Sequence, residues 1–256
     1  MAKDLLFEIG MEEVPAHVMP GTLAQLKENA EKAFKENRIA FKAVRTLGTP
    51  RRTALLVEGL AEKQEDVASE NRGPSVKIAF DAEGNPTKAA QGFARGQHVD
   101  PKDLVVKDGY VYAEVHEEGQ PTAKLLETLL PELVCGLSFP NNMRWGDLDF
   151  KFIRPIRWFV ALYGADVIPF ELANVKSGRT SRGHRFLSQG DFEIADAKSY
   201  EKACEANFII VDQDKRKQMI REQIEAVAKA NGGQAEITED LLEEVLYLVE
   251  YPTALC

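Results

Sequence analysis

The chain has 256 residues, 44% of them hydrophobic, with 32 Lys and Arg against 41 Asp and Glu and a formal net charge of -9. That composition can bury a sizeable core, at a length where one domain commonly becomes two. The acidic balance excludes a protein that coats nucleic acid by bulk charge, so any contact with phosphate has to be local.

In chain order, Leu5 to Ile9 reads as a first strand, closed by Gly10 and the acids Glu12 and Glu13. Pro20 stands where a helix tolerates proline, and Leu23, Leu26, Ala30, Ala33 and Phe34 recur at helical spacing, which predicts an amphipathic helix from Pro20 to Asn37. Phe41 to Leu47 and Thr53 to Leu60 read as strands joined at GTPRR, whose Arg51 and Arg52 have two readings, binding an anion or, as favoured here, solvating a hairpin end. Glu62 to Asn71 is charge-dense and aperiodic, the expected linker.

Val76 to Phe80 reads as a short strand, DAEGNP as a turn, and Lys88 to Arg95 as a helix stopped by Gly96. Leu104 to Val106 and Tyr110 to Val115 flank Lys-Asp-Gly, a hairpin signal because Asp-Gly accepts the positive φ angles of a tight turn. Thr122 to Leu130 is leucine-rich and helical, with Pro131 kinking it or starting another helix. Further on come a strand at Phe192 to Ile194, a helix from Ala197 to Ala206, and a strand at Phe208 to Val211. A helix capped by Asp212 or Asp214 and stopped at Gly232-Gly233 follows, then a last helix capped by Thr238 and ended by Pro252.

Phe139 to Phe186 is different: eight basic residues face four acids, leaving 24 against 37 in the rest of the chain. Ile156 to Leu162 is an apolar strand with Arg154 and Arg157 at its entrance, Gly164 to Asp166 a turn, and Val167 to Val175 a returning strand. Ser177 to Arg185, SGRTSRGHR, has the composition of a loop that meets phosphate or carboxylate. The candidate anion-binding residues are Arg144, Arg154, Arg157, Arg179, Arg182, His184 and Arg185. Two readings stay open for them: contact with a phosphate or acidic partner, or pairing with the chain's own excess of carboxylates. Trp145, Trp158, Phe159 and Leu162 are expected in the core rather than on a base-stacking surface.

No catalytic residue is assigned. His17, His98, His116 and His184 are far apart, with no ligand spacing for a metal, and no phosphate-binding glycine loop or nucleophile elbow occurs. The acid pairs Glu12-Glu13, Glu117-Glu118 and Glu243-Glu244 are adjacent in sequence and so point apart. Cys135, Cys204 and Cys256 form no disulfide framework, and neither a signal peptide nor a membrane-length apolar run is present, so a cytoplasmic protein without membrane contact is expected.

LLFEIGMEEVP, GTPRR, Gly73-Pro74, GFAR at Gly92 to Arg95, FPNNMRWG at Phe139 to Gly146, FIRPIRWFVALYG at Phe152 to Gly164 and RGHRF at Arg182 to Phe186 occur in one fixed order. That series resembles the N-terminal portion of the β subunit of bacterial heterotetrameric glycyl-tRNA synthetase. The elements in chain order give an α+β fold with a small β-α-β-β lobe over 1–62 and a larger mixed region over 63–256, with an alternative border near 135; the resemblance implies that the larger region is B3/B4-like. It implies an N-terminal fragment, incomplete at its C-terminal end, in which assembly and tRNA recognition support ATP-dependent attachment of glycine to tRNA(Gly). ATP and magnesium, and the catalytic core, are expected in a partner α subunit of an α2β2 enzyme, with no cofactor or metal in this chain. An editing-type hydrolase and a scaffold that never touches RNA are the alternatives.

Overall fold

The computed structural model describes residues 2–81 and 84–256, and the middle of the expected DAEGNP turn, Ala82-Glu83, lies outside them. Its elements are β1 (Lys3–Met11), α1 (Met19–Glu36), β2 (Ala43–Thr49), β3 (Arg52–Leu60), β4 (Val67–Ser75), the one-turn α2 (Val76–Ala79), α3 (Lys88–Gly96), β5 (Val105–Lys107), β6 (Tyr110–Glu117) and α4 (Thr122–Cys135). There follow β7 (Met143–Arg144), β8 (Lys151–Phe152), β9 (Ile156–Tyr163), β10 (Asp166–Val167), β11 (Glu171–Leu172), β12 (Val175–Gly178), β13 (Thr180–Arg182), β14 (Asp191–Glu193), α5 (Tyr200–Ala206), α6 (Gln213–Ala230) and α7 (Glu239–Leu246). The class is mixed α+β, as expected.

The principal sheet runs β11-β12-β9-β1-β3-β2, with β10 added to β9. Strand β1 lies between β3 and β9, antiparallel to both, and every residue from Leu5 to Met11 is buried. Period-two alternation divides it. Leu5, Phe7, Ile9 and Met11 face a large core shared with Leu26, Ala30 and Phe34 of α1 and Leu126, Leu130 and Leu133 of α4. Leu6 faces a second core with Ala54, Val160, Leu162, Tyr200 and Cys204. A central strand covered on both faces reads as a continuous apolar run, which is why Leu5 to Ile9 does not alternate.

The outer edge at β2 is closed by a side chain. Gln213, at the start of α6, accepts from Gly48 N at 3.2 Å and donates to Thr46 O at 3.1 Å, as a neighbouring strand would. An otherwise open edge is thereby capped. Near the open end of the β2–β3 hairpin, Gly59 within β3 has a positive φ, +63°, where the pairing with β1 shifts register between Lys3 and Leu5.

The contacts group the residues up to Glu62 with Pro121–Cys256, and Lys63–Gln120 as a second compact unit. The expected division into 1–62 and 63–256 differs from this, because β1 pairs along its length with β9, so the N-terminal segment and the later region share one sheet. No boundary falls near 135, where α4 contributes to the large core. The second unit is a three-stranded sheet, β4-β6-β5, packed on α2 and α3 around Ala79, Ala90, Ala94, Leu104, Val111 and Ala113. Its β5–β6 hairpin turns at Asp108 and Gly109, φ +53° and +79°, the left-handed pair that Asp-Gly favours.

Several sequence expectations need correcting. Val67 to Asn71, read as linker, is the first half of β4; a strand with an exposed face tolerates the polar run that hid it. Val76 to Phe80 is a helical turn rather than a strand, its buried Ala79 packing against α3. The returning strand over Val167 to Val175 breaks after Ile168 because Pro169 has no N–H to give. The chain doubles back at Ala173-Asn174, φ +52° and +60°, and β12 then runs parallel to β9. SGRTSRGHR is largely strand, β12 and β13, with β13 paired to β14. Phe208 to Val211 joins no sheet, although Ile209 to Val211 are buried and Ile210 N bonds to Glu250 O at 2.8 Å. The last helix ends at Leu246, well before Pro252.

Gly10 lies across from both Arg52 and Trp158 in the sheet register, and a methyl group there would sit 1.9 Å from the Trp158 ring. Gly10→Ala is therefore expected to lower the unfolding free energy by about 1–3 kcal/mol or more, and the denaturant midpoint with it. Gly92→Ala, in α3 with open space around it, is expected to be neutral or stabilising by about 0.5–1 kcal/mol. Chemical denaturation of both variants checks the contrast.

Candidate functional site

The second face of β1 carries a carboxylate. Glu8 follows Leu6 at the two-residue period and is fully buried, as is Arg52, which comes from β3 on the same face. The missing side chain of Gly10 leaves the space that the ring of Trp158 of β9 fills. Glu8 accepts from the Trp158 indole, the Tyr200 hydroxyl and Ser181 Oγ, the last at 2.6 Å. Arg52 lies 3.6 Å from Glu8 and 3.1 Å from Glu250, and donates to Ser181 Oγ at 3.0 Å and Arg182 O at 2.8 Å. Thr49 donates to Glu250 at 2.7 Å, and Arg51 reaches the same carboxylate at 3.4 Å. The guanidinium carbons of Arg51, Arg52 and Arg182 all stand within 6 Å of the Trp158 ring, at 5.8, 5.4 and 5.2 Å.

Two carboxylates and two guanidiniums thus neutralise one another out of water. Burial opposes the charge on Arg52, yet Glu250 and Glu8 outweigh it and raise its pKa further. Burial also pushes Glu250 upward, but Arg52, the Thr49 hydrogen bond and Arg51 hold it below the usual glutamate value. In the same pocket burial drives the Tyr200 hydroxyl and Cys204 thiol well up, so neither is a ready nucleophile. A second buried guanidinium, Arg216 of α6, donates to the carbonyls of Gly48 at 2.7 Å, Leu246 at 3.0 Å, Val211 at 3.4 Å and Ile210, and burial lowers its pKa to about 10. Arg216 ties α6, the end of α7 and the edge of the sheet together.

The candidate arginines lie nearer the surface. Arg157 meets Glu12 at 3.1 Å, Arg185 meets Glu12 at 3.3 Å and Glu13 at 3.2 Å, and Arg154 donates to Glu13 O at 2.8 Å, so these three converge on one short acidic segment. Arg182 is 3.7 Å from Asp191. His184 accepts at Nδ1 from the main-chain N–H groups of Phe186 and Leu187, both 3.2 Å away, and its pKa is lowered by burial and by nearby Arg51 and Arg52, against Glu250. Arg144 stands apart, 3.4 Å from exposed Asp149. Arg179 bonds the carbonyls of Ala165, Ala195 and Ile194, at the opposite end of β9 from Arg157. Of the two readings left open, pairing with carboxylates of the same chain describes Arg144, Arg157, Arg182 and Arg185; about half of the Arg157 and Arg185 side-chain surface still meets water.

GTPRR is not a solvated hairpin end: Arg52 is 0% exposed and forms the middle of the cluster. Glu8, Ser181, Tyr200 and Glu250 were also missed, though a single glutamate inside the run LLFEIG was a readable signal, because a charge within a buried strand requires a partner. Trp158, Phe159 and Leu162 are core as expected, whereas Trp145 is only half buried. Among the described residues no cluster of His, Cys, Asp and Glu is arranged to hold a metal ion, and no helix is long and apolar enough to cross a membrane.

A family model described as Glycyl-tRNA synthetase beta subunit matches residues 5–256. The glycine–tRNA ligase beta subunit of Desulfitobacterium hafniense is 53% identical over 259 residues, covering 100% of this chain and 37% of that relative. Those of Desulforamulus reducens and Clostridioides difficile are 48% and 47% identical, covering 100% and 99% of the chain and 37% and 38% of the relatives. The chain therefore spans well under half the length of the curated relatives it matches.

Arg52→Ala leaves Glu8 and Glu250 uncompensated, and is expected to destabilise the fold by about 3–5 kcal/mol in urea denaturation followed by tryptophan fluorescence. The depressed pKa of Glu250 means that its charge adds stability above the unfolded value of about 4.3, and that this stability is lost as pH falls through the folded value. Glu250→Gln should flatten the acid limb of the stability-against-pH curve in that window, while lowering stability at neutral pH.

Proposed function

This chain belongs to the glycyl-tRNA synthetase beta subunit family, and from that premise we propose that it is a non-catalytic portion of a glycine–tRNA ligase β chain, serving assembly and tRNA recognition. In this reading the chemistry, with ATP and magnesium, belongs to a partner α chain in a cytoplasmic α2β2 enzyme that esterifies glycine to tRNA(Gly). The larger unit would correspond to a B3/B4-like synthetase domain. The observation that carries the proposal is the match over residues 5–256, which includes both the buried cluster and the surface arginines.

The geometry supports a specific way for such a portion to act. The ion-paired cluster fixes β1, β3, β9 and the segments bearing Ser181 and Glu250, and so holds the Arg182–Phe186 loop on a rigid base. Arg154, Arg157 and Arg185 then meet on one acidic segment whose carboxylates a phosphate can replace, guanidinium matching either oxyanion with the same fork of donors. The pairing of these arginines within the chain also favours a second reading, a scaffold that orders the enzyme and leaves RNA untouched.

The assembled α2β2 enzyme separates the two. Replacing Arg157 and Arg185 together by alanine is expected to weaken tRNA(Gly) binding and to reduce the slope of log affinity against log salt by about 1 to 2, as one or two phosphate contacts require. An unchanged slope together with weaker co-purification of the α chain would favour the scaffold.

A further inference from the structure

Phe186 is 84% exposed and Leu187 48% exposed, on a loop held by several hydrogen bonds. Gly183 N bonds to Gly190 O at 2.8 Å, Ser188 N to His184 O at 3.1 Å, and His184 N to Asn207 O at 3.1 Å, while His184 Nδ1 staples the N–H groups of Phe186 and Leu187. The close approach of Ser188, 2.0 Å from where a Cβ would stand, requires glycine at 183. A large apolar side chain held in water on a pre-set loop loses little entropy when it binds.

The same surface holds a cavity of about 320 Å³, lined by Trp145, Phe150, Pro155, Ile156 and Arg157 among others. Its walls are set in place: the Trp145 indole N–H donates to Phe152 O at 2.9 Å, and the Phe150 ring stacks on Phe152 with centroids 5.8 Å apart. Arg157 links the cavity to the loop, because Glu12 binds Arg157 through one carboxylate oxygen and Arg185, the neighbour of Phe186, through the other. Glu12 and the two guanidiniums thus connect the aromatic cavity to the loop that carries the exposed ring.

We propose that this face binds an unpaired segment of RNA, one base entering the Trp145–Phe150 cavity, its backbone phosphate displacing Glu12 from Arg157 and Arg185, and a further base stacking on Phe186. Unpaired bases are recognised by stacking on aromatic rings beside cationic side chains that follow the backbone. The guanidiniums favour this occupant over a protein segment, for which an apolar or acidic complement would be needed beside them. The inference rests on the reading that the chain engages tRNA, and adds to it which groups read the unpaired bases.

The test uses the assembled α2β2 enzyme and fluorescently labelled tRNA(Gly) over a range of salt. Phe186→Ala is expected to weaken binding by about 5- to 100-fold at fixed salt, with the salt slope unchanged because stacking releases no counterions. Phe186→Trp should restore binding and Phe186→Leu should not. Leu148→Trp, which fills the cavity from its wall, should weaken binding without lowering the melting temperature. If Phe186→Leu binds tRNA as well as the parent, or Phe186→Ala releases the α chain and leaves tRNA affinity intact, the stacking site is overturned and Phe186 is a protein anchor. A reduced salt slope on removing Arg157 and Arg185, with every Phe186 variant silent, would sink the stacking site and leave the broader reading standing.

Discussion

The fold depends on how a carboxylate in the middle of its central strand is neutralised. Glu8 is surrounded by Leu6, Val160, Trp158 and Tyr200, where an unpaired charge would be driven to protonate or would prevent the sheet from closing. Arg52, Ser181, Trp158 and Tyr200 meet that demand from four separate parts of the chain. Glu250 then satisfies the remaining donors of Arg52 and brings the C-terminal segment onto the sheet. Such a cluster contributes little net stability over an apolar core of the same shape, but it tolerates few alternative arrangements.

That restriction is what makes the surface useful. The loop carrying His184, Arg185 and Phe186 begins where Arg182 O and Gly183 O accept from Arg52 and Arg51, so its position is set by buried hydrogen bonds. Around it the arginines are partly neutralised by Glu12, Glu13 and Asp191, which limits like-charge repulsion within an otherwise acidic chain while keeping the donors at the surface.

The Arg216 cluster has a simpler role. Its guanidinium donates to four carbonyls left by the end of α7, the 210–211 segment and the edge strand β2. Together with the Gln213 clasp on Thr46 and Gly48, it closes the sheet edge with side chains where a further strand would otherwise be needed.

The sequence by itself determined the elements whose signals are local. Helical spacing from Leu23 to Phe34 placed α1, Asp108-Gly109 placed the hairpin of the smaller unit, Asp212 placed the cap of α6, and the apolar run at Ile156 placed β9. The ordered motifs also carried the family, and charge counting found the stretch that holds the surface arginines. Only the tertiary structure decided partners. Glu8 and Glu250 are 242 positions apart and both meet Arg52, the strand made of Val67 to Ser75 is recognisable only from its pairing with β6, and Arg51 and Arg52 turn inward to the buried carboxylates of Glu250 and Glu8. Burial, charge pairing and strand register are set by residues distant in the chain, so no window of local sequence contains them.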